Sequence, residues 1–162
     1  LLGAAVGFAD VPLCEKEPYI IRYAEMIDNW AECDCFCSCI KVKKSEADDL
    51  LRLAEGLMYR KEEFVSRVGT VLMFSKFSDE PTVRKALTIY DRLPGGEYYR
   101  DMAVAWGISV YCVRYPQLIV KYLEHSPISI AVKLAAAQKI RDSRRISDEV
   151  KHRVTDTVNA QR

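Results

Sequence analysis

Residues 27–41, IDNWAECDCFCSCIK, set four cysteines at every second position around one aspartate, just after a tryptophan. Thiols at that density raise a metal centre or a disulfide cluster, and the spacing argues against both. Closed zinc sites use C-x2-C knuckles, because a loop must fold back to bring two thiolates onto one tetrahedral ion. In a helix, Cys33 and Cys37 share one side while Cys35 and Cys39 lie well around the cylinder. No single ion reaches all four, so no metal is assigned. The same geometry hinders local disulfides. These cysteines, with Cys14 and Cys112, read as small, soft packing residues.

The residues that share a face in this stretch are Trp30, Asp34 and Ser38, at successive i, i+4 steps. An aspartate in an otherwise apolar helix is either hydrogen-bonded structurally or faces a cleft where its charge is used. Arg67 stands out in the same way within EFVSRVGTVLMF, where a charge directed into a groove is favoured over a solvated one. The densest basic cluster is Lys139, Arg141, Arg144 and Arg145. It reads equally as a phosphate clamp or as a solvated helix end whose charges complement the dipole. Lys41, Lys43 and Lys44 extend a basic track less strongly.

These residues must be carried by helices. The 162-residue chain is the size of one domain and can bury a core without disulfides or a structural metal. Seven Gly and six Pro punctuate it too sparsely for an all-β fold. Apolar residues recur at spacings of three and four through Phe64, Val68, Val71 and Leu72, and again through Met102, Ala105, Trp106, Ser109 and Cys112. Both segments should be helices packed on two sides. Stop and start signals place helices at roughly 2–9, 17–26, 29–40, 46–59, 61–77, 80–92, 97–114, 116–124, 127–142 and 146–159. Pro18, Pro81 and Pro127 are each expected in a first turn. Pairs that begin near 29, 61, 97 and 127 recur every 30 to 36 residues, the period of stacked helical hairpins in a single α-solenoid domain spanning 1–162.

Charge is uneven. Residues 1–40 hold seven acidic and two basic residues; residues 133–162 hold eight basic and four acidic ones. The formal net charge of +1 makes no global case for nucleic acid, so any polyanion surface must be local. No apolar run approaches the ~20 residues that span a bilayer, and LLGAAVGFAD lacks a basic leader region. A cytoplasmic protein is expected. The opening Leu1 and the helical character of the first residues lead us to expect further helices before it.

Four stretches in order, IDNWAECDCFC, EEFVSRVGTVLMF, EYYRDMAVAWGISVYCVRYP and AAAQKIRDSRRISDEVK, resemble the DNA alkylation repair family of HEAT-like DNA glycosylases, the AlkD-like proteins. The likeness runs from about residue 20 to 153. It implies an all-α, right-handed α-α superhelix of about five antiparallel helix pairs, acting as a monomer without cofactor on double-stranded DNA that carries alkylated bases. The implied reaction is excision of cationic N3- or N7-alkylated purines. The family's active-site Trp and Asp match Trp30 and Asp34, its second Trp matches Trp106, and its backbone-contacting Arg matches Arg67. Phe64 keeps an aromatic three residues before that Arg, whereas Met102 replaces a Lys one turn before the second Trp.

The chemistry explains these residue types. A cationic alkylpurine leaves without protonation, so the barrier lies in the charge that develops on the sugar. Asp34 would stabilise an oxocarbenium-like sugar and orient water, an effect worth about 2–4 kcal/mol. Trp30 and Trp106 would pack on the deoxyribose, and Tyr99 would extend that aromatic wall; core packing is the alternative for each Trp. The alternative function is a non-catalytic HEAT-like scaffold that binds DNA or a protein.

Overall fold

The computed structural model describes residues 1–162, which form ten α-helices and no strand. They are α1 (Leu2–Phe8), α2 (Leu13–Ala24), α3 (Trp30–Cys39), α4 (Ala47–Met58), α5 (Glu63–Lys76), α6 (Glu80–Tyr90), α7 (Tyr98–Arg114), α8 (Pro116–His125), α9 (Ile130–Asp142) and α10 (Asp148–Asn159), with a short 3-10 turn at Lys44–Glu46. No helix is long and apolar enough to cross a membrane. The chain divides into two units, Leu1–Lys76 and Phe77–Arg162.

In the first unit α1, α3 and α5 pack side by side, α2 lies against α4, and α4 returns antiparallel onto α5. The α4–α5 pair makes the most extensive contact in the unit, for a local reason. A Cβ at Gly69 would lie 2.5 Å from the Met58 nitrogen and 2.6 Å from the Ala54 carbonyl oxygen, so only glycine lets the two backbones touch. Every residue from Val65 to Phe74 is buried, which agrees with a helix packed on more than one side. Ser66 donates to the Met58 carbonyl and Thr70 to that of Ser66, so the hydroxyls inside this apolar helix are satisfied.

In the second unit α7 packs along α9 and α8 along α10, while α7–α8 and α9–α10 close the hairpins. Asp91, just past α6, accepts hydrogen bonds from Tyr122 and Ser126 and so ties the end of α6 to α8. Burial pushes the Tyr122 hydroxyl well above the ordinary phenol range. Tyr90 and Tyr111, almost wholly buried, are raised by the same cause.

Helix ends follow their caps, and two differ from expectation. The second helix begins at Leu13 rather than at 17, leaving Pro18 inside it. The Pro12 carbonyl accepts from Glu15 and Lys16, and the Leu13 N–H donates to Glu46 Oε1 at 2.8 Å, which supplies the cap that no local side chain offers. Pro18 is exposed, and the carbonyl its missing N–H would have served belongs to Cys14, also exposed, so that loss falls on the solvent side of the helix. Pro127 does not open α9 either. Ser129 caps that helix by accepting from the Val132 N–H, so Pro127 stays in the link before it. Pro81 and Pro116 do sit in first turns.

Candidate functional site

Asn29 starts the helix that carries the candidate carboxylate. Its side-chain oxygen accepts the Glu32 N–H at 2.9 Å and its amide donates back to Glu32, a reciprocal cap that makes Trp30 the first helical residue. Glu32 also accepts from the Tyr23 hydroxyl, and the Tyr23 ring leans on Phe36 with centroids 4.7 Å apart, so the first turn of α3 is held to α2. That arrangement raises the Tyr23 hydroxyl above its ordinary range, chiefly through the bond to Glu32.

From that start the 3.6-residue period sorts the side chains. Cys33, Phe36, Cys37 and Ile40 are buried. Cys35 is exposed and Cys39 half-buried, the division that the helical reading of the cysteines requires. Burial pushes the Cys37 thiol far up, and its sulfur lies 3.7 Å from the Val68 carbonyl oxygen. Burial likewise pushes Cys112 up to about 12. Protonated thiols under apolar cover are packing groups and poor nucleophiles.

Trp30 and Ser38 are exposed, and Asp34 between them is half-buried at the edge of that core. Trp30 is 55% exposed. One turn on, the Asp34 carboxylate meets the guanidinium of Arg67 from α5: Nη2 lies 2.9 Å from Oδ1 and 3.0 Å from Oδ2, and Nε lies 3.2 Å from Oδ1. The Arg67 side chain is only 6% exposed and that of Asp34 20%, so a buried cation fixes a carboxylate that still reaches the surface. A fork of this kind sets the carboxylate's plane as well as its position. A rigid anion beside an exposed indole is suited to stabilising positive charge on a ligand that stacks on the ring.

The resemblance implies that Arg67 contacts a DNA backbone; the structure adds that its guanidinium holds Asp34. The pairing was missed because each residue was read alone. The signal lay in finding one acid and one base, each isolated in an apolar helix, since buried charges persist when paired. Two other ties in this unit also escaped the sequence. Lys16 is 3% exposed and donates to the Lys41 carbonyl oxygen at 2.8 Å. Arg60 bridges Glu25 and Glu62, and that contact lowers Glu62 to about 2.

The second unit holds the other candidates. Trp106 is half-buried on α7, where the Ser109 hydroxyl donates to its carbonyl oxygen at 2.7 Å. A groove of about 370 Å³ runs beside it, lined by Trp106, Val110 and Val113 and, on the opposite wall, by Lys139, Asp142 and Arg145. The basic cluster therefore divides. Lys139 and Arg145 reach the tryptophan groove, whereas Arg141 turns to Gln138 and to Thr155 of α10. Arg144 is exposed. Tyr99 is half-buried and meets the exposed Tyr98 edge-on, with centroids 5.1 Å apart.

Compared with family models, with curated proteins and with solved structures, the chain matches none.

Proposed function

We propose that this protein is a DNA glycosylase that removes cationic N3- or N7-alkylated purines, built on a helical-repeat scaffold of the AlkD-like kind. The observation that carries the reading is the Asp34 carboxylate, locked by the Arg67 fork and reaching the surface one turn from an exposed Trp30. In this mechanism the glycosidic bond breaks with its electron pair moving to the base, which leaves neutral. Positive charge grows on the sugar, and Asp34 stabilises it. Water then adds at the anomeric carbon and gives up a proton. The Trp30 face packs against the deoxyribose and attracts the same charge. Arg67 is a positioning residue, because it acts by holding Asp34. The ordered motifs around Trp30, Arg67, Trp106 and Arg145 support the reading, as does a groove that sets Trp106 beside Lys139 and Arg145, a combination of π face and cations that suits nucleic acid.

The test is release of 7-methylguanine and 3-methyladenine from methylated duplex DNA. Wild type should excise, and Asp34→Asn should lower the single-turnover rate by about 10² to 10³. Salt-dependent DNA binding without excision by either form would replace the enzyme with a non-catalytic DNA-binding scaffold.

A further inference from the structure

The walls of the groove beside Trp106 identify its occupant. One wall is aromatic and apolar, from Trp106, Val110 and Val113 of α7. The other carries two cations, Lys139 in the last turn of α9 and Arg145 in the link to α10. Ser143 steadies that link by accepting the Arg145 N–H at 3.2 Å. Both cations are uncommitted. Arg52, Arg60, Arg67, Arg84 and Lys151 each hold a carboxylate, whereas the side chains of Lys139 and Arg145 make no ion pair or hydrogen bond within the chain. The one acid in the lining, Asp142, already accepts from the Gln138 amide at 2.8 Å. Two cations against one carboxylate leave the lining positive, and exposed Arg144, next in sequence to Arg145, adds to that charge.

Unpaired cations across from an aromatic wall fit a ligand that is both anionic and flat. A nucleotide is both, with its phosphate and its base one sugar apart. Inside a duplex both faces of a base are covered by its neighbours, so only an unstacked base can lie against the indole. The groove holds about 370 Å³, at the small end of ligand sites, which suits one nucleotide rather than a stacked run.

We propose that this groove takes one unpaired nucleotide of a single DNA strand, with its base against Trp106 and its phosphates on Lys139 and Arg145. Phosphate contacts and a π wall carry little base preference, so the site accepts any sequence. The assignment deepens the proposed function by giving the second unit a ligand state, the unpaired strand; it rests on DNA being the ligand and not on excision.

Trp30→Phe leaves Trp106 as the sole tryptophan of the chain, so its fluorescence reports on the groove. The probe is an unmodified oligothymidylate of about 16 nucleotides. It should quench Trp106 saturably, because a stacked base quenches an indole. A strand of the same length built from abasic tetrahydrofuran units keeps every phosphate and should bind at least about tenfold more weakly. Annealed to its complement, the oligothymidylate should quench at least about tenfold less at the same concentration. Replacing Lys139 and Arg145 together by Gln should leave the melting temperature in place and make the slope of log K against log salt shallower by about 1.4, the share of two single-strand phosphate contacts. Equal affinity for the abasic strand, equal quenching by the annealed one, or an unchanged slope overturns the proposal. None of the probes carries an alkylated base, so a protein without excision activity should give the same results, and failure here would leave the glycosylase reading in place.

Discussion

Asp34 and Arg67 solve a problem for each other. A carboxylate with a 20% exposed side chain is only partly solvated, and a guanidinium with 6% exposure hardly at all. Removing one partner leaves the other without its counter-charge, which costs about 3 kcal/mol, whereas replacing both with apolar residues of similar volume is close to neutral. We therefore expect Arg67→Met to lower unfolding stability by about 3 kcal/mol in urea titrations, and Asp34→Leu with Arg67→Met to recover most of that loss. Under the proposed function, excision should be absent from the double variant, which separates the pair's part in the fold from the part proposed for Asp34 in chemistry. If Arg67→Met costs nothing, the pair does not fix the carboxylate. The face shared by Trp30, Asp34 and Ser38 was legible from i, i+4 spacing alone. The fork was not, because it depends on the register between two helices whose contacting residues stand 33 positions apart.

Helices were the most legible level, because apolar spacing is local and so are most stops and starts. Where a cap came from a distance, reading failed: Glu46 serves the N-terminus of α2 from 33 residues away, and the helix starts before the proline that seemed to open it. Asp79 shows the readable case. It caps α6 by accepting the Thr82 N–H at 3.0 Å, and this bond holds its carboxyl below the usual carboxylate range. A depressed acid contributes stability above its unfolded pKa of about 3.9 and loses it as pH falls through the folded value. Asp79→Ala should thus cost about 1 kcal/mol near neutrality. The gap between the two proteins' melting temperatures should close as the pH is taken below about 4. A gap that stays constant into acid would show that the carboxylate's charge is not what the cap uses.

Across the molecule, charge is sorted by unit. Residues 1–76 carry 13 acidic and 10 basic residues, and residues 77–162 carry 14 basic and 10 acidic, a net of −3 against +4. Duplex binding should accordingly lean on the second unit and fall steeply with salt. Each phosphate contact contributes a slope of about −0.9 in log K against log salt. Reversing Arg144 and Arg145 to Glu should make that slope shallower by about two units without shifting the melting temperature; an unchanged slope would remove these residues from the interface. In the second unit the α7–α8 and α9–α10 hairpins follow the pairing that the period suggested, whereas in the first unit α4 packs chiefly on α5 rather than on α3, a pairing the period did not give. Gly69 bears on how such a sequence can change. It stands two residues from Arg67 on the same helix, one side of which touches the α4 backbone while another reaches Asp34. Any side chain at position 69 wedges α5 away from α4 and carries the guanidinium with it. Mutational tolerance at the carboxylate is therefore governed in part by a position buried against the α4 backbone, so under the proposed function a scan for loss of excision would mark Gly69 alongside Trp30 and Asp34.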